Sequence, residues 1–266
     1  MTASKEVYFM SNNLGKWEQK LLLSQNSITA NSIPETIKYS PENLLDFLNR
    51  YDDVYIKHNN SGQGRGIFKV YKRKDGRYCF NGFSFQGKSI NTCVAAIEDV
   101  HQVLHPYKNL GRLENYIIQE GIQSFTLNGL PLGIRVHVQN LKGKWLVGGM
   151  YAKIGSPATI ESGILNFTRG AEVISMDELL SEHLKMNDAR KTEVIKNLQK
   201  VAISAAIVIA RQFPNREYGI DFGLDPKGKP VLYEVNTTPG INGFALIENK
   251  APWKRIIEIR KLQKKT

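Results

Sequence analysis

The 266-residue chain is 41% hydrophobic and 23% charged, which fits one large or two small globular domains with a substantial core. It has no apolar run of membrane-spanning length, and Met1-Thr-Ala-Ser-Lys5 lacks a signal-peptide apolar segment, so no membrane partner and a cytoplasmic location are expected. Its net charge of +11, from 36 Lys and Arg against 25 Asp and Glu, favours anionic partners; without an RNA-recognition motif, zinc finger or aromatic-interleaved basic strand, nucleic acid is disfavoured among them.

The spacing predicts a helix around Lys16–Leu23 and then a polar loop. Ser32–Ile37 reads as a short extended piece. Ser40 as N-cap and Pro41 in the first turn open a helix to about Asn49. Asp53–Lys57 and Gly66–Arg73 look like strands flanking a glycine loop, with Tyr78–Phe85 as a third. Ile90, Val94, Ile97, Val100 and Leu104 keep helical spacing, which predicts one helix from Ile90 to about His105. Asn115–Ile122, Leu132–Asn140 and Lys144–Ile154 are strand-like. Ser175-Met-Asp-Glu178 is a capping box, and a long helix over roughly Asp188–Gln212 buries Ile195, Leu198, Val201, Ala202, Ala205 and Ile209. A terminal helix docks through Trp253, Ile256 and Ile257, leaving its lysines and arginines as a solvated face. Cys79 and Cys93, the only cysteines, form no short metal or redox motif and are expected reduced.

The richest segment is Tyr218-Gly-Ile-Asp-Phe-Gly-Leu224, a turn containing Pro226 and Gly228, and Pro230-Val-Leu-Tyr-Glu-Val-Asn236. Ile220, Phe222 and Leu224 alternate with Gly219, Asp221 and Gly223, the period of a half-buried strand. With a four-residue loop at 226–229, residues 225 and 230 pair, which sets Asp221 opposite Glu234 and brings Asn236 to the same face. Two carboxylates at ~5 Å repel by about 3 kcal/mol at an effective dielectric near 20. A bridging hard cation removes that penalty, and two carboxylates with an amide oxygen suit Mg²⁺ holding nucleotide phosphates. Gly219 and Gly223 clear the face for a ligand.

Further segments carry weaker signals. Lys57 sits on a strand before Gly62-Gln63-Gly64-Arg-Gly66, a loop whose amides can approach phosphate oxygens. No Gly-Lys-Ser/Thr follows, which argues against a P-loop, and the returning strand argues against a Rossmann turn. Gln119-Glu120-Gly121-Ile122 ends a strand and could meet an adenine edge and a ribose. In Gly133-Ile-Arg-Val-His-Val-Gln139, Arg135 alternates with apolar residues and can bind phosphate or carboxylate bidentately. His137 there reads as a solvent-facing or hydrogen-bonded residue. Lys153 ends the next strand, and Asn166 and Arg169 lie beside Gly170 in a loop suited to an anion.

Taken in order, these pieces resemble the ATP-grasp superfamily, and their arrangement resembles its YheC/YheD (endospore coat-associated) branch, over about residues 30–266. The resemblance implies an α+β ATP-grasp fold of two lobes sandwiching ATP: a lead-in over 1–30, a small lobe over 31–122 with the glycine-rich flap, and a large lobe over 123–266 with the metal hairpin. The preceding domain of many ATP-grasp ligases is expected to be shortened or absent. Lys57 with Gly62, Gln63, Gly64 and Gly66 is similar to the phosphate-binding lysine and flap. Gln119, Glu120, Gly121 and Ile122 are similar to the adenine hinge. Arg135, Lys153, Asn166 and Arg169 match catalytic positions, with Lys153 where an arginine is frequent and Gly133 where an acid is usual. Asp221, Glu234 and Asn236 match the Mg²⁺ ligands.

The implied activity is an ATP-dependent, Mg²⁺-requiring carboxylate–amine ligase (Mn²⁺ being an alternative ion) that acts through an acylphosphate on small-molecule or peptide carboxylates and amines. A kinase on the same scaffold and a spore-associated nucleotide binder without turnover are the alternatives. A homo-oligomer and a spore-associated location stay open.

Overall fold

The computed structural model describes residues 14–62, 64–104, 116–165 and 170–265. The first lobe is a six-stranded antiparallel sheet built from β1 (Thr36–Lys38), β2 (Asp53–His58), β3 (Ile67–Lys72), β4 (Tyr78–Phe83), β5 (Ser89–Val94) and β6 (Tyr116–Glu120), in the order β1-β6-β2-β3-β4-β5. Leu44 and Phe47 of α3 (Pro41–Arg50), with Val100 and Leu104 of α4 (Asp99–Leu104), close over Val54, Ile56, Phe68, Val70, Phe80 and Ile118. The α3 start follows the sequence: the Ser40 side chain accepts from Asn43 N, and Pro41 stands in the first turn.

The helix expected from Ile90 onward is instead β5 followed by α4. A spacing of four satisfies both periods, so Ile90 and Val94 share a face on a helix and on a strand alike. The strand wins because β5 pairs along its whole length with β4, and that register sets Cys79 directly opposite Cys93, where they form a disulfide. The expectation of two reduced cysteines is thereby corrected. The pairing was illegible while Cys93 was read as helical.

The second lobe orders its strands β11-β10-β7-β8-β9, all antiparallel: β7 (Leu132–Leu141), β8 (Lys144–Ile154), β9 (Glu172–Ile174), β10 (Glu217–Leu224) and β11 (Pro230–Asn236). One face packs on α6 (Asp188–Ala210), whose Val194, Leu198, Ala202, Ala205 and Ile209 meet Val136, Val138, Ile220, Phe222 and Leu224. The lower half of the other face is covered by α7 (Ala251–Gln263) through Ile256, with Gln139 Nε2 donating to Ile256 O at 3.2 Å. The upper half is left open. A short helix, α5 (Met176–Glu178), starts at the Ser175 cap as expected.

Helices α1 (Lys16–Leu23) and α2 (Ser27–Ala30) pack on the second lobe, Leu22 and Leu23 joining its core. They also cover the free edge of β11: Val235 N donates to Gln19 Oε1 at 2.7 Å and Leu232 N to Ser32 O at 2.6 Å. An exposed strand edge is a template for unwanted pairing, and this segment occupies it. Among the described residues no helix is long and apolar enough to cross a membrane.

Candidate functional site

Between the lobes lies a cleft of about 760 Å³. Asp221, Glu234 and Asn236 all line it, as do Lys57, Gly64, Gln119, Glu120, Ile122, Arg135 and Lys153. Gln63, Asn166 and Arg169 lie outside the described residues. Gly62 and Gly66 belong to the loop between β2 and β3, and Gly121 follows the end of β6.

The hairpin brings its acids together by a route the alternation alone did not give. Leu224, not Asp225, pairs with Pro230, so the strands leave the turn one residue out of the expected register. An irregularity between the pairs Phe222–Leu232 and Asp221–Glu234 absorbs Tyr233 and restores it. The core explains the bulge. Leu232 and Val235, three apart, are both buried against α6 and α1, which a period of two cannot achieve. The extra residue lets Tyr233, Glu234 and Asn236 all reach the cleft.

Asp221 is clasped from the neighbouring strand. Register pairs it with Arg135, whose Nε donates to Oδ1 at 2.7 Å and Nη2 to Oδ2 at 2.8 Å. Asn236 Nδ2 donates to Oδ2 at 2.9 Å. Burial acts to raise the Asp221 pKa, but the charges of Arg135 and Lys153 and these hydrogen bonds hold it below the usual carboxylate range. Glu234 is met by Lys16 of α1, Nζ lying 3.4 Å from Oε1. The like-charge penalty expected across this hairpin is therefore already relieved by the protein's own cations.

Gly219 and Gly223 do vacate the face beside Asp221, and protein groups fill the space. A Cβ at 219 would lie 2.6 Å from Arg135 Nη1 and 2.7 Å from Pro239 Cβ; one at 223 would meet the Tyr233 hydroxyl.

Lys16 was not expected here, since a lysine in a predicted lead-in helix carries no signal of its own. It is buried, and its Nζ donates to Ser61 O at 2.5 Å. Lys16 N donates to Asn59 O at 3.1 Å and Trp17 N to Asn59 Oδ1 at 2.7 Å, so the start of α1 is bolted to the glycine loop. Lys57 donates to Gln119 Oε1 and sits over the rings of Tyr55 and Tyr233 at 5.5 and 5.4 Å. Burial, reinforced by Lys16 and opposed by Glu234, brings its pKa down to about 8. Burial also lowers Lys153, which lies over the Tyr151 ring at 5.8 Å. Four cations (Lys16, Lys57, Arg135 and Lys153) thus accompany the two carboxylates Asp221 and Glu234 in the cleft, an excess of positive charge that an anion would relieve.

His137 is fully buried rather than solvent-facing. Its Nε2 donates to Glu217 Oε2 at 3.3 Å, and Arg260 of α7 holds the same carboxylate through Nε at 2.9 Å and Nη2 at 2.5 Å. These groups lie under α7, away from the open half of the sheet, and tie that helix down.

The Asp221, Glu234 and Asn236 side chains supply a hard oxygen set suited to Mg²⁺ once the amide turns its oxygen inward. Among the described residues no cluster of three or more His, Cys, Asp or Glu forms an alternative metal site.

The family model described as YheC/D like ATP-grasp matches residues 6–259. The endospore coat-associated protein YheD of Bacillus subtilis (strain 168) is 29% identical over 244 residues, covering 90% of this chain and 51% of that protein. The chain thus spans about half the length of this curated relative. Among solved structures, D-cycloserine synthetase DcsG superposes with a TM-score of 0.54 at 11% identity, over 94% of this chain and 70% of that one. The D-alanine-D-alanine ligase of Coxiella burnetii gives 0.51 at 14% identity, over 95% and 59%. The fold is that of ATP-grasp proteins, and with nearly its whole length matched the chain belongs to the YheC/D-like ATP-grasp family.

Proposed function

We propose that the protein is an ATP-dependent carboxylate–amine ligase. The observation that carries this is the excess of cations gathered around Asp221, Glu234 and Asn236, in a cleft that Gln119, Glu120 and Ile122 at the end of β6 also line. In this reading the adenine lies against Gln119–Ile122 and the triphosphate runs toward Lys16, Lys57 and Lys153. Asp221, Glu234 and Asn236 would hold Mg²⁺, which would supply positive charge against the phosphates.

The chain's own groups position and stabilise. Lys57 and Lys153, both desolvated, present ammonium groups that favour the charge that spreads over the transferred group. Arg135 holds the incoming carboxylate in line, where its oxygen attacks the γ-phosphorus and ADP leaves. An amine then attacks the acyl carbon of the acylphosphate, expelling phosphate and forming the amide. Asn166 and Arg169 are assigned to the acceptor side by family resemblance. Holding the reactants in line and excluding water supplies the acceleration without a protein nucleophile.

The test is product analysis with ATP, Mg²⁺ and a panel of amino acids and short peptides. ADP, phosphate and an amide in equal amounts are expected. A stable phosphoester would reassign the site to a kinase, and ATP bound but unconsumed with every carboxylate–amine pair would make the protein a binder.

A further inference from the structure

Lys57 is placed by a hydrogen-bond chain that starts two strands away and has only one allowed direction. Sheet order β1-β6-β2 puts Gln119 between Thr36 on one side and β2 on the other; Thr36 and Tyr55 are its register partners, and Lys57 lies one step further along the same face. The Thr36 hydroxyl donates to Pro34 O at 3.0 Å. A hydroxyl has one proton, so Thr36 Oγ1 can only accept from Gln119, whose Nε2 donates to it at 3.1 Å. With its nitrogen committed there, the amide must turn its oxygen toward β2, where Lys57 Nζ donates to it. Thr36 and Gln119 are both buried, which leaves water little access to compete for these groups.

Resting on the reading of this cleft as a nucleotide site, we propose that Thr36 and Gln119 are positioning residues that fix the Lys57 ammonium for the phosphates. Gln119 therefore acts through its side chain on Lys57 and leaves only its backbone to the base. The three-residue strand β1 has a purpose beyond pairing: it supplies the hydroxyl that sets the polarity of the chain. Without that hydroxyl the amide can rotate by half a turn and present NH₂ to the ammonium, donor against donor. Lys57 would then lose its side-chain acceptor and keep only the two aromatic rings and the charge of Glu234.

The experiment is a double-mutant cycle on the full chain, with Mg–ATP affinity read by calorimetry and folding by thermal denaturation. Thr36→Val, nearly isosteric, should weaken ATP binding about tenfold, in line with loss of a hydrogen bond to a charged group. Thr36→Ser, which keeps the hydroxyl, should restore most of it. In a Lys57→Ala background Thr36→Val should have no further effect, because its target is gone. An equal loss with and without Lys57 would overturn the positioning role while leaving the nucleotide site standing. Absence of ATP binding by the unmodified protein would remove the nucleotide reading and this proposal with it. Should Thr36→Val fail to fold, Gln119→Met in the same cycle gives the same decision.

Discussion

Arg135 and Asp221 face each other across β7 and β10 and form a two-pronged ion pair at 2.7 and 2.8 Å. Both side chains are largely shielded from solvent, so removing one leaves an uncompensated charge. Arg135→Met should cost about 3–5 kcal/mol of stability, measured by urea denaturation. Arg135→Met with Asp221→Leu should cost less than the two single changes added together. Strict additivity would show that the pair is not coupled.

Gly219 makes that geometry possible. Gly219→Ala would put a methyl against Arg135 Nη1 and Pro239, both within van der Waals overlap. The expected outcome is a loss of about 1–3 kcal/mol by overpacking, with the guanidinium pushed off Asp221. A crystal structure of the variant with the ion pair intact would refute this account of the glycine.

The acid-bearing hairpin was legible because alternation on β10 is strict and Asp221 does meet Glu234. What alternation could not show is the bulge. The Leu232 and Val235 spacing contains the signal, since two buried residues three apart cannot share a face of a regular strand. Lys57 and the glycine loop were legible as strand, loop and strand. Lys16 was not, because its position depends on α1 docking across the β11 edge, a tertiary contact with no local period. The β5 strand was hidden by a four-residue spacing common to both periods, and the disulfide with it. For His137 the hydrogen-bonded alternative holds and the solvent-facing one does not, because its strand faces the cleft at Arg135 and α7 two residues later.

Charge on Lys57 should govern nucleotide affinity. Burial brings its pKa from the ordinary lysine value down to about 8, so the ammonium is present below that pH and lost above it. ATP affinity of the free protein should fall as pH rises through about 8, whereas Lys57→Met should bind weakly without that inflection. Calorimetry between pH 6.5 and 9.5 reads both, and an identical inflection in the variant would assign it to another group.

Glu217 predicts the acid limb of stability. Burial opposes its ionisation, but His137 and Arg260 bring its pKa down to about 2. A carboxyl depressed on folding contributes stability that is fully present above its unfolded value near 4.3 and is lost as pH falls toward about 2. Allowing for solvent screening, the contribution is roughly 2 kcal/mol. Glu217→Gln should be less stable at neutral pH and flatter between about pH 4.5 and 2 in denaturant titrations. Parallel curves for variant and parent would contradict this.

The central claim is that Asp221, Glu234 and Asn236 hold the divalent ion that anchors ATP in the cleft. Calorimetric titration of ATP with and without Mg²⁺, on the parent protein and on Asp221→Asn and Glu234→Gln, tests it most directly. Binding that requires Mg²⁺ in the parent and loses that requirement in both folded variants is the predicted result. Equal Mg²⁺-dependent affinity in all three proteins would contradict it.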